Sequence, residues 1–260
     1  MVRYLLAVLT LLTASTALGD HPAVRFGHPP QGDYLEREGY VMGYDGWYKS
    51  ARWTLHVLDV EAEGAERTNE FRIDPKVERE FRSTESDYVG AETLDGDSID
   101  RGHLVPSKDM TGSLTSNSDT FYLSNMSPQS ASFNRGIWKR LENLTREVAS
   151  QPEVRECYVM SGPAVLVREG EDQATLRFIG HSRVPVPTHY WKSVLIVGKS
   201  GRLKIWSVLA ENRRYSSDTD LESLAVTADY LEGVTGLDLW SGLATDVQAE
   251  MESLLEDWRL

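Results

Sequence analysis

Cysteine is almost missing from this chain, since Cys157 is the single one among 260 residues. One thiol cannot close an intramolecular disulfide, so a packed core has to hold the fold in any redox compartment. Cys157 lies in the largely apolar stretch 154–159 and is expected to be a small buried hydrophobic residue. A chain of this length can bury such a core within one domain.

A membrane-spanning run is also lacking at the N-terminus, where the apolar stretch covers only residues 4–12. About 20 apolar residues are needed to cross a bilayer. The stretch follows Arg3 and precedes small residues that end at Gly19, which is the order of a secretory signal peptide. We expect residues 1–19 to be removed, and 20–260 to form a single domain that is secreted or periplasmic and no longer held at a membrane.

Basic charge is scarce, because 27 Lys and Arg residues face 40 Asp and Glu residues and give a net charge of -13. Proteins that bind nucleic acid tightly carry a basic face for the phosphates. The acidic balance therefore favours weak, salt-sensitive, catalytic engagement of a phosphate polymer over stable binding. A solubility role in an exported protein explains the same balance. A glycine-rich phosphate loop of the nucleotide-binding type is absent as well.

The hydrophobic pattern predicts a mixed α+β domain. Continuous or alternating apolar stretches predict strands at 53–60, 158–167, 193–197 and 203–209. Residues 198–201 have the composition of a hairpin connection between the last two strands. Helical patterns predict helices at 134–149, 221–235 and 245–255. The polar segment 59–99, which contains Pro75, Gly90 and Gly96, is expected to be mostly loop.

Polar residues with chemical potential concentrate in three sequence blocks. Residues 99–104 read Ile-Asp-Arg-Gly-His-Leu, residues 121–129 contain Ser-Asn-Met-Ser-Pro-Gln, and residues 133–142 begin Phe-Asn-Arg-Gly and end in Glu. The four residues Asp-Arg-Gly-His alone recur by chance in unrelated sequences, but three such blocks in this order are a specific signal. Together they resemble the DNA/RNA non-specific endonuclease family of ββα-metal, or His-Me finger, nucleases. Weaker similarity around Tyr44 and Trp53, and in 67–74, 184–192 and 235–240, extends the resemblance to nearly all of 20–260.

The resemblance implies a fold and an activity. The fold would be α+β, with a mixed, mainly antiparallel central sheet flanked by helices and a ββα-metal finger at the active site. The activity would be sequence-non-specific hydrolysis of DNA and RNA by one nuclease domain, with Mg²⁺ as cofactor and Mn²⁺ as an alternative. Nucleic acid would be the substrate partner.

His103 has the chemistry of a general base. Phosphodiester hydrolysis requires activation of a water molecule, and a neutral imidazole with a pKa near ~6.5 can accept a proton at neutral pH. Gly102 allows close approach of other groups to the preceding backbone. Within the motif we therefore assign His103 the role of base rather than that of a structural histidine.

Metal binding is assigned to Asn134, because Mg²⁺ prefers oxygen ligands and keeps several waters. Glu142 follows eight residues later, or ~12 Å along a helix axis. Direct bonds from both residues to one ion would be strained, so Glu142 is expected to hold a metal-bound water, in agreement with what the resemblance implies.

Three arginines are candidates for binding the substrate phosphate, namely Arg101, Arg67 and Arg146. Arg67 matches a family-like pattern of arginine four residues before Phe71, although Arg72 could take its place. Arg146 could instead pair with Glu142 at i, i+4, which is compatible with a phosphate contact.

Three further polar residues are expected to support the site. Asp100 would orient the His103 loop, and Asn125 and Gln129 flank Pro128 and would tie their loop to the catalytic residues. On the helix that carries Asn134, the inward face is expected to consist of Ile137, Leu141, Leu144 and Val148.

Two other functions use the same residues. One is a narrower phosphodiesterase for nucleotides or phosphorylated polymers, and the other is a catalytically silent nucleic-acid-binding protein. The combination of His103, Asn134 and Glu142 argues against the silent protein.

Overall fold

A seven-stranded antiparallel sheet forms the centre of the computed structural model, which describes residues 21–62, 64–93, 96–167, 176–255 and 258. The expected signal peptide, residues 1–19, lies outside these described residues. The strands are β1 (Asp33–Glu36), β2 (Tyr40–Asp45), β3 (Ser50–Val57), β4 (Ile99–His103), β5 (Met126–Ser130), β6 (Val154–Ala164), β7 (Arg177–Ile179), β8 (Val184–Val186), β9 (His189–Gly198), β10 (Leu203–Glu211) and β11 (Ala225–Val226).

The helices are α1 (Leu114–Asp119), α2 (Ala131–Phe133), α3 (Lys139–Ala149), α4 (Ala228–Thr235) and α5 (Thr245–Glu252). A π-helical turn, Asn134–Trp138, joins α2 to α3. Short 3-10 turns lie at Pro22–Phe26, Arg79–Phe81, Glu85–Tyr88, Ser107–Asp109, Leu123–Asn125 and Leu221–Leu224. None of the helices in the described part of the chain is long and apolar enough to cross a membrane.

The central sheet has the strand order β1-β2-β3-β6-β9-β10-β11. Its edges are short: β1 has four residues and carries exposed Asp33 and Glu36, and β11 has only two residues. Short, charged edge strands discourage pairing with another chain. The connection from β3 to β6 leaves the sheet and contains most of the residues that the sequence marks as functional.

Both faces of the sheet are buried. One face packs against the α3 side, where Val159, Val194 and Trp206 contact a cluster that includes Leu141 and Trp138. The opposite face packs Met160, Leu195 and Ile205 against α4 and the segment that follows it. A strand buried on both sides reads as a continuous apolar run, and all ten residues of β9 are indeed buried.

The strand predictions are confirmed with shifted ends, and β9 and β10 form the predicted hairpin through 198–201. The helix predicted at 134–149 is present with a π turn near its start, and its four inward residues are buried. Cys157 is 1% exposed, as expected, and burial raises its pKa to about 12. Segment 59–99 contains 3-10 turns between loops, as predicted.

The helix predicted at 221–235 is wrong in its first half. Asp220 caps a 3-10 turn by accepting a hydrogen bond from Glu222 N, and β11 then pairs with Ser207 and Val208 of β10. The α-helix begins only after Thr227, whose hydroxyl oxygen caps Tyr230 N at 3.1 Å. Pairing with the edge of the sheet therefore overrides the helical pattern of this stretch. The helix predicted at 245–255 ends at Glu252.

Buried Asp74 fastens the long β3–β4 loop to the rest of the domain. Its carboxylate accepts hydrogen bonds from the Arg37 guanidinium and the Ser124 hydroxyl, and from Lys76 N at 2.9 Å. The side chains of Arg37 and Asp74 are 4% and 2% exposed. Removal of one partner would leave a buried charge without its counter-ion.

We predict that Asp74→Ala lowers the free energy of unfolding by about 3–5 kcal/mol, the usual cost of breaking a buried pair. Urea unfolding, followed by tryptophan fluorescence, measures this free energy. The dependence of the free energy of unfolding on urea concentration is expected to keep the same slope. Asp33→Ala, at an exposed carboxylate on β1, is the matched control and should leave the midpoint nearly unchanged. Equal midpoints for the two variants would contradict the anchoring role.

Candidate active site

A ββα unit brings the first and third sequence blocks together. β4 pairs with β5 in antiparallel register, so that His103 lies opposite Met126 and Asp100 lies opposite Gln129. β5 leads directly into α2 and the π turn, which begins at Asn134. Because a π turn widens the helix locally, Asn134 lies in a segment whose geometry differs from that of the regular helix behind it. Gly136, two residues later, has non-helical angles (φ -103°, ψ -105°).

An open cleft lies along this unit. Its walls are formed by residues from β4, from the β3–β4 loop and from the π turn: Arg67, Phe71, Glu85, Ser86, Tyr88, Val89, Ile99, Asp100, Arg101, His103 and Asn134. Five of the residues that the sequence predicts for the site therefore share one cleft: His103, Asn134, Asp100, Arg101 and Arg67.

His103 is held between aromatic rings and flanked by two cations. The ring centres of Phe71 and Phe121 lie 5.8 and 5.0 Å from its imidazole. The Arg101 guanidinium stacks 3.9 Å from the Phe71 ring centre, and that of Arg67 lies 5.0 Å from the Phe121 ring centre. The two aromatic rings thus hold both guanidinium groups close enough to the histidine for their charges to act on it.

Both arginines are fixed by further hydrogen bonds. Arg67 donates to the Ser107 hydroxyl at 2.7 Å and to Asn69 at 2.6 Å. Arg101 donates to the Glu85 carboxylate at 2.7 Å. Arg72, the alternative to Arg67, stacks on Tyr122 and donates to the carbonyl of Ser118, and it does not line the cleft. Arg67 is therefore the arginine of this segment that the structure places beside His103.

Burial, together with the positive charges of Arg67 and Arg101, lowers the pKa of His103 to about 3. Its Nε2 atom is shielded from solvent and has no hydrogen-bond partner among the described residues. Each of these causes disfavours the imidazolium form. His103 is consequently neutral at physiological pH and can accept a proton.

Asn134 offers an amide oxygen to the cleft. Its Nδ2 donates to Asp100 Oδ2 at 2.9 Å, and the same carboxylate receives two hydrogen bonds from Arg135, at 2.8 and 2.6 Å. Since the amide nitrogen faces Asp100, the amide oxygen remains available as an acceptor. An amide oxygen next to a carboxylate is a donor set that suits a hard divalent cation.

Asn125 and Gln129, two of the three predicted support residues, differ in their surroundings. Fully buried Asn125 locks the chain after His103, because its Oδ1 accepts from Val105 N at 3.0 Å and its Nδ2 donates to Val105 O and Thr120 O. Gln129 is fully buried against Gly102, where an added Cβ would lie 2.2 Å from its Oε1. Neither amide atom of Gln129 has a hydrogen-bond partner among the described residues. Gly102 is therefore required for close packing of β4 on Gln129.

Glu142 and Arg146 lie farther along α3, in a cluster of charged side chains over the central sheet. Arg146 Nη2 is 3.8 Å from Glu142 Oε2, which is the i, i+4 pair that the sequence suggests. Arg146 also pairs with Asp109, whose Oδ2 lies 3.1 Å from His56 Nε2. Arg146 lines a neighbouring hollow with Leu58, Lys108 and others, rather than the cleft of His103.

Lys192 on β9 completes this cluster as a fully buried cation. Its Nζ donates to the Ser161 hydroxyl at 2.7 Å and lies 4.7 Å from the centre of the Trp138 ring. Burial lowers the pKa of Lys192, and the nearby carboxylates of Glu142 and Asp109 oppose that shift. Burial likewise raises the pKa of Glu142 to about 7, which the positive charge of Lys192 opposes. The two groups therefore stabilise each other's charged forms.

Sequence reasoning missed His56, Asp109 and Lys192. The signal for Lys192 is a charged residue within the apolar run 190–197, which becomes a strand buried on both faces. A lysine in such a strand needs buried counter-charges. His56 and Asp109 carry no comparable signal, because only the fold brings their side chains together.

Comparison with known proteins agrees with this arrangement. A family model described as DNA/RNA non-specific endonuclease matches residues 19–246. The chain belongs to the DNA/RNA non-specific endonuclease family. Enzymes of this family cleave nucleic acid and depend on a metal ion, so the chain is a nuclease with a nucleic-acid substrate.

The relatives of this endonuclease include nucleases from distant organisms. Nuclease C1 of Cunninghamella echinulata var. echinulata is 32% identical over 229 residues, which cover 85% of this chain and 88% of the relative. Mitochondrial endonuclease G of Homo sapiens is 30% identical over 219 residues, covering 82% and 71% of the two chains. A chain in the crystal structure of an EndoG/EndoGI complex superimposes with a TM-score of 0.78 at 26% identity, covering 85% and 91%. The α+β fold class expected from the sequence is confirmed.

We predict that the acid limb of kcat/KM for this endonuclease lies below pH 6, which follows from the lowered pKa of His103 and from the role of base expected of it from the sequence. Arg101→Met removes one positive neighbour, so the pKa of His103 should rise and the acid limb should move up by about one pH unit. Initial rates of both proteins, measured at low substrate and saturating metal across pH 4–9, locate the acid limb of each. An acid limb near 6.5 in both proteins would contradict the electrostatic argument.

Proposed function

We propose that this endonuclease hydrolyses phosphodiester bonds of DNA and RNA without sequence preference, with His103 as its general base. The observation that carries the proposal is the neutral imidazole of His103 beside two fixed arginines, in the same cleft as the amide of Asn134. A base, a cation-binding oxygen and positive charges for the phosphate are the groups that this reaction needs.

His103 takes the proton from the attacking water. Its environment keeps it neutral before the reaction, and the phosphate that enters the cleft supplies negative charge that stabilises the imidazolium formed during proton transfer. Phe71 and Phe121 hold the ring in one orientation, since they contact it from two directions. Asn125 fixes the backbone that follows the histidine.

Arg67 and Arg101 bind the phosphate next to the base. Their guanidinium groups are already held by Ser107 and Glu85, so little side-chain freedom is lost when the substrate enters. Arg146 is assigned a supporting role, since it pairs with both Asp109 and Glu142 and so holds the Glu142 side chain in place on α3. Asp100 orients the amide of Asn134.

The residues present fit a divalent metal ion, Mg²⁺ or Mn²⁺. Asn134 would bind it through its amide oxygen, and Glu142 would support it through a water molecule. When bound, the ion supplies stabilisation of the negative charge that develops on the phosphorus oxygens and the leaving oxygen. Gln129, whose buried amide lacks partners among the described residues, lies opposite Asp100 in the ladder and so supports the strand that carries Asp100.

We further propose that residues 1–19 direct export and that 20–260 form one nuclease domain, secreted or periplasmic. The proposal rests on the order of Arg3, the apolar run 4–12 and the small residues up to Gly19. The human relative is named mitochondrial, so members of this family differ in compartment.

We predict that His103→Ala lowers plasmid cleavage by at least ~10²-fold, the usual size of a general-base contribution, while the fold stays intact. Agarose gels of supercoiled plasmid and of RNA, with metal and with EDTA, give the rates, and circular dichroism reports the fold. His181→Ala, at an exposed histidine of the β7–β8 turn, is the control and should cut normally. Near-normal cleavage by folded His103→Ala protein would remove the proposed base.

The two proposed metal residues should respond differently to added metal. We predict that Asn134→Ala stays inactive at ordinary millimolar Mg²⁺, whereas Glu142→Ala regains part of its activity as metal is raised. Direct binding by one residue and water-mediated support by the other explain this difference. Rates across a metal titration decide it, with Glu147→Ala, exposed on the same helix, as the control. Identical metal dependence in the two variants would show that the assignment of direct and indirect roles is wrong.

A further inference from the structure

An exposed group of aromatic and basic side chains lies outside the cleft. Trp47, at the tip of the β2–β3 hairpin, is 58% exposed. Its ring approaches Phe178 of β7 edge-on, with centres 6.4 Å apart and an interplanar angle of 83°. The Arg183 guanidinium stacks 4.6 Å from the centre of the same Phe178 ring. We refer to Trp47, Phe178 and Arg183 as the aromatic patch.

Trp47 is held rigidly although it is exposed. Asp45 Oδ1 accepts hydrogen bonds from Trp47 N at 2.8 Å and from Tyr48 N at 3.2 Å. Lys49 adopts a left-handed backbone (φ 52°), and its Nζ donates to Glu80 O at 2.7 Å. The Tyr48 ring contacts Trp47 edge-on at 5.1 Å. Together with Phe178 and the guanidinium of Arg183, the exposed indole forms a contiguous aromatic surface on a hydrogen-bonded turn, the kind of exposed patch that binding sites use.

Arg183 is equally constrained. It adopts a left-handed backbone (φ 56°), which is uncommon for a residue with a side chain, and Arg183 N donates to Gly180 O at 3.3 Å. No carboxylate among the described residues pairs with its guanidinium. A positive charge stacked on an aromatic ring is therefore presented to solvent beside Trp47.

The aromatic patch is attached to the wall of the active-site cleft. Ser86 and Tyr88 line the cleft, and Asp87 lies between them. Asp87 Oδ1 accepts a hydrogen bond from Ser182 N at 2.8 Å, next to Arg183. Gly180 packs so closely that an added Cβ would lie 2.3 Å from Asp87 Cα. The turn that carries Arg183 is thus fixed to segment 86–88, which lines the cleft.

We propose that the aromatic patch is a nucleobase-stacking site that holds a single-stranded part of the substrate as it leaves the cleft. This inference rests on the proposed function. Nucleobases stack on aromatic side chains and guanidinium planes whatever their sequence, and single strands expose those faces. Bases within a duplex are already stacked and paired, so they cannot reach Trp47.

The acidic composition makes such a site useful. A net charge of -13 leaves few cations for contacts with phosphate groups, whereas stacking depends much less on charge. One stacked base improves affinity by roughly fivefold to a hundredfold. The aromatic patch can therefore retain a non-specific substrate on a protein that lacks a broad basic face.

Kinetics with substrates of different length test the proposal. We predict that Trp47→Ala raises KM for a single-stranded oligonucleotide about tenfold and leaves kcat unchanged. The rise in KM should grow as the single strand is lengthened from a dinucleotide, and a blunt duplex, whose bases are paired, should be cut by Trp47→Ala as by the unmodified protein. Trp47→Phe should retain most of the affinity, and Tyr230→Ala, at a 52% exposed aromatic residue on α4, is the matched control.

A binding measurement in EDTA, where no cleavage takes place, tests the stacking site independently of the nuclease activity. Five of the other six tryptophans are almost fully buried and Trp258 is partly buried, so quenching of fluorescence by an oligonucleotide in EDTA is measured in a Trp258→Phe background, where it is expected to come from Trp47 and to vanish when Trp47→Phe is added. If the unmodified protein cut neither DNA nor RNA, the proposed function would be refuted. The quenching measurement would still show whether Trp47 binds single strands. Unchanged KM for single strands in Trp47→Ala, or equal quenching in Trp47→Phe, would overturn the inference.

Discussion

The pairing of β4 with β5 is the constraint on which the active site depends. A shift of one residue in an antiparallel ladder turns every side chain to the opposite face, and His103 would then leave the cleft. The register is fixed by close packing of Gln129 on Gly102. β5 is in turn fastened to the central sheet, since Tyr190 and Asn212 hydrogen-bond its backbone and the Ser127 hydroxyl. The sheet therefore determines where the finger lies.

The same sheet supplies charge beneath α3. Lys192 and His56 come from strands, whereas Glu142 and Arg146 come from α3, and Asp109 links the two groups. An unpaired buried charge is costly, but opposite charges in one cluster compensate one another. α3 is thus positioned by electrostatic contacts as well as by the apolar residues along its inner face. The position of Glu142 follows from the sheet as much as from its own helix.

The sequence predicts the parts of the fold and site that depend on local pattern. Strands β3, β6, β9 and β10 follow from apolar runs, and the grouping of His103 with Asn134 follows from three ordered motifs. β1 and β2 were not predicted, because their short sequences have no distinct alternation. The π turn at Asn134 leaves no signal in composition. The contact of Arg146 with Asp109, and its place outside the cleft, arise from tertiary packing that spacing along a helix cannot give.

Charge in this nuclease is arranged locally rather than over the whole surface. Negative charge predominates along the chain, yet Arg67 and Arg101 converge on one histidine and stack on aromatic rings that also contact it. At physiological ionic strength, exposed charges more than ~8 Å apart are largely screened. A phosphate in the cleft therefore experiences the nearby guanidinium groups and the cleft carboxylates Glu85 and Asp100, which pair with Arg101 and Arg135, more strongly than the distant carboxylates of the surface. The protein can accept a polyanion in one narrow place and still remain acidic and soluble elsewhere.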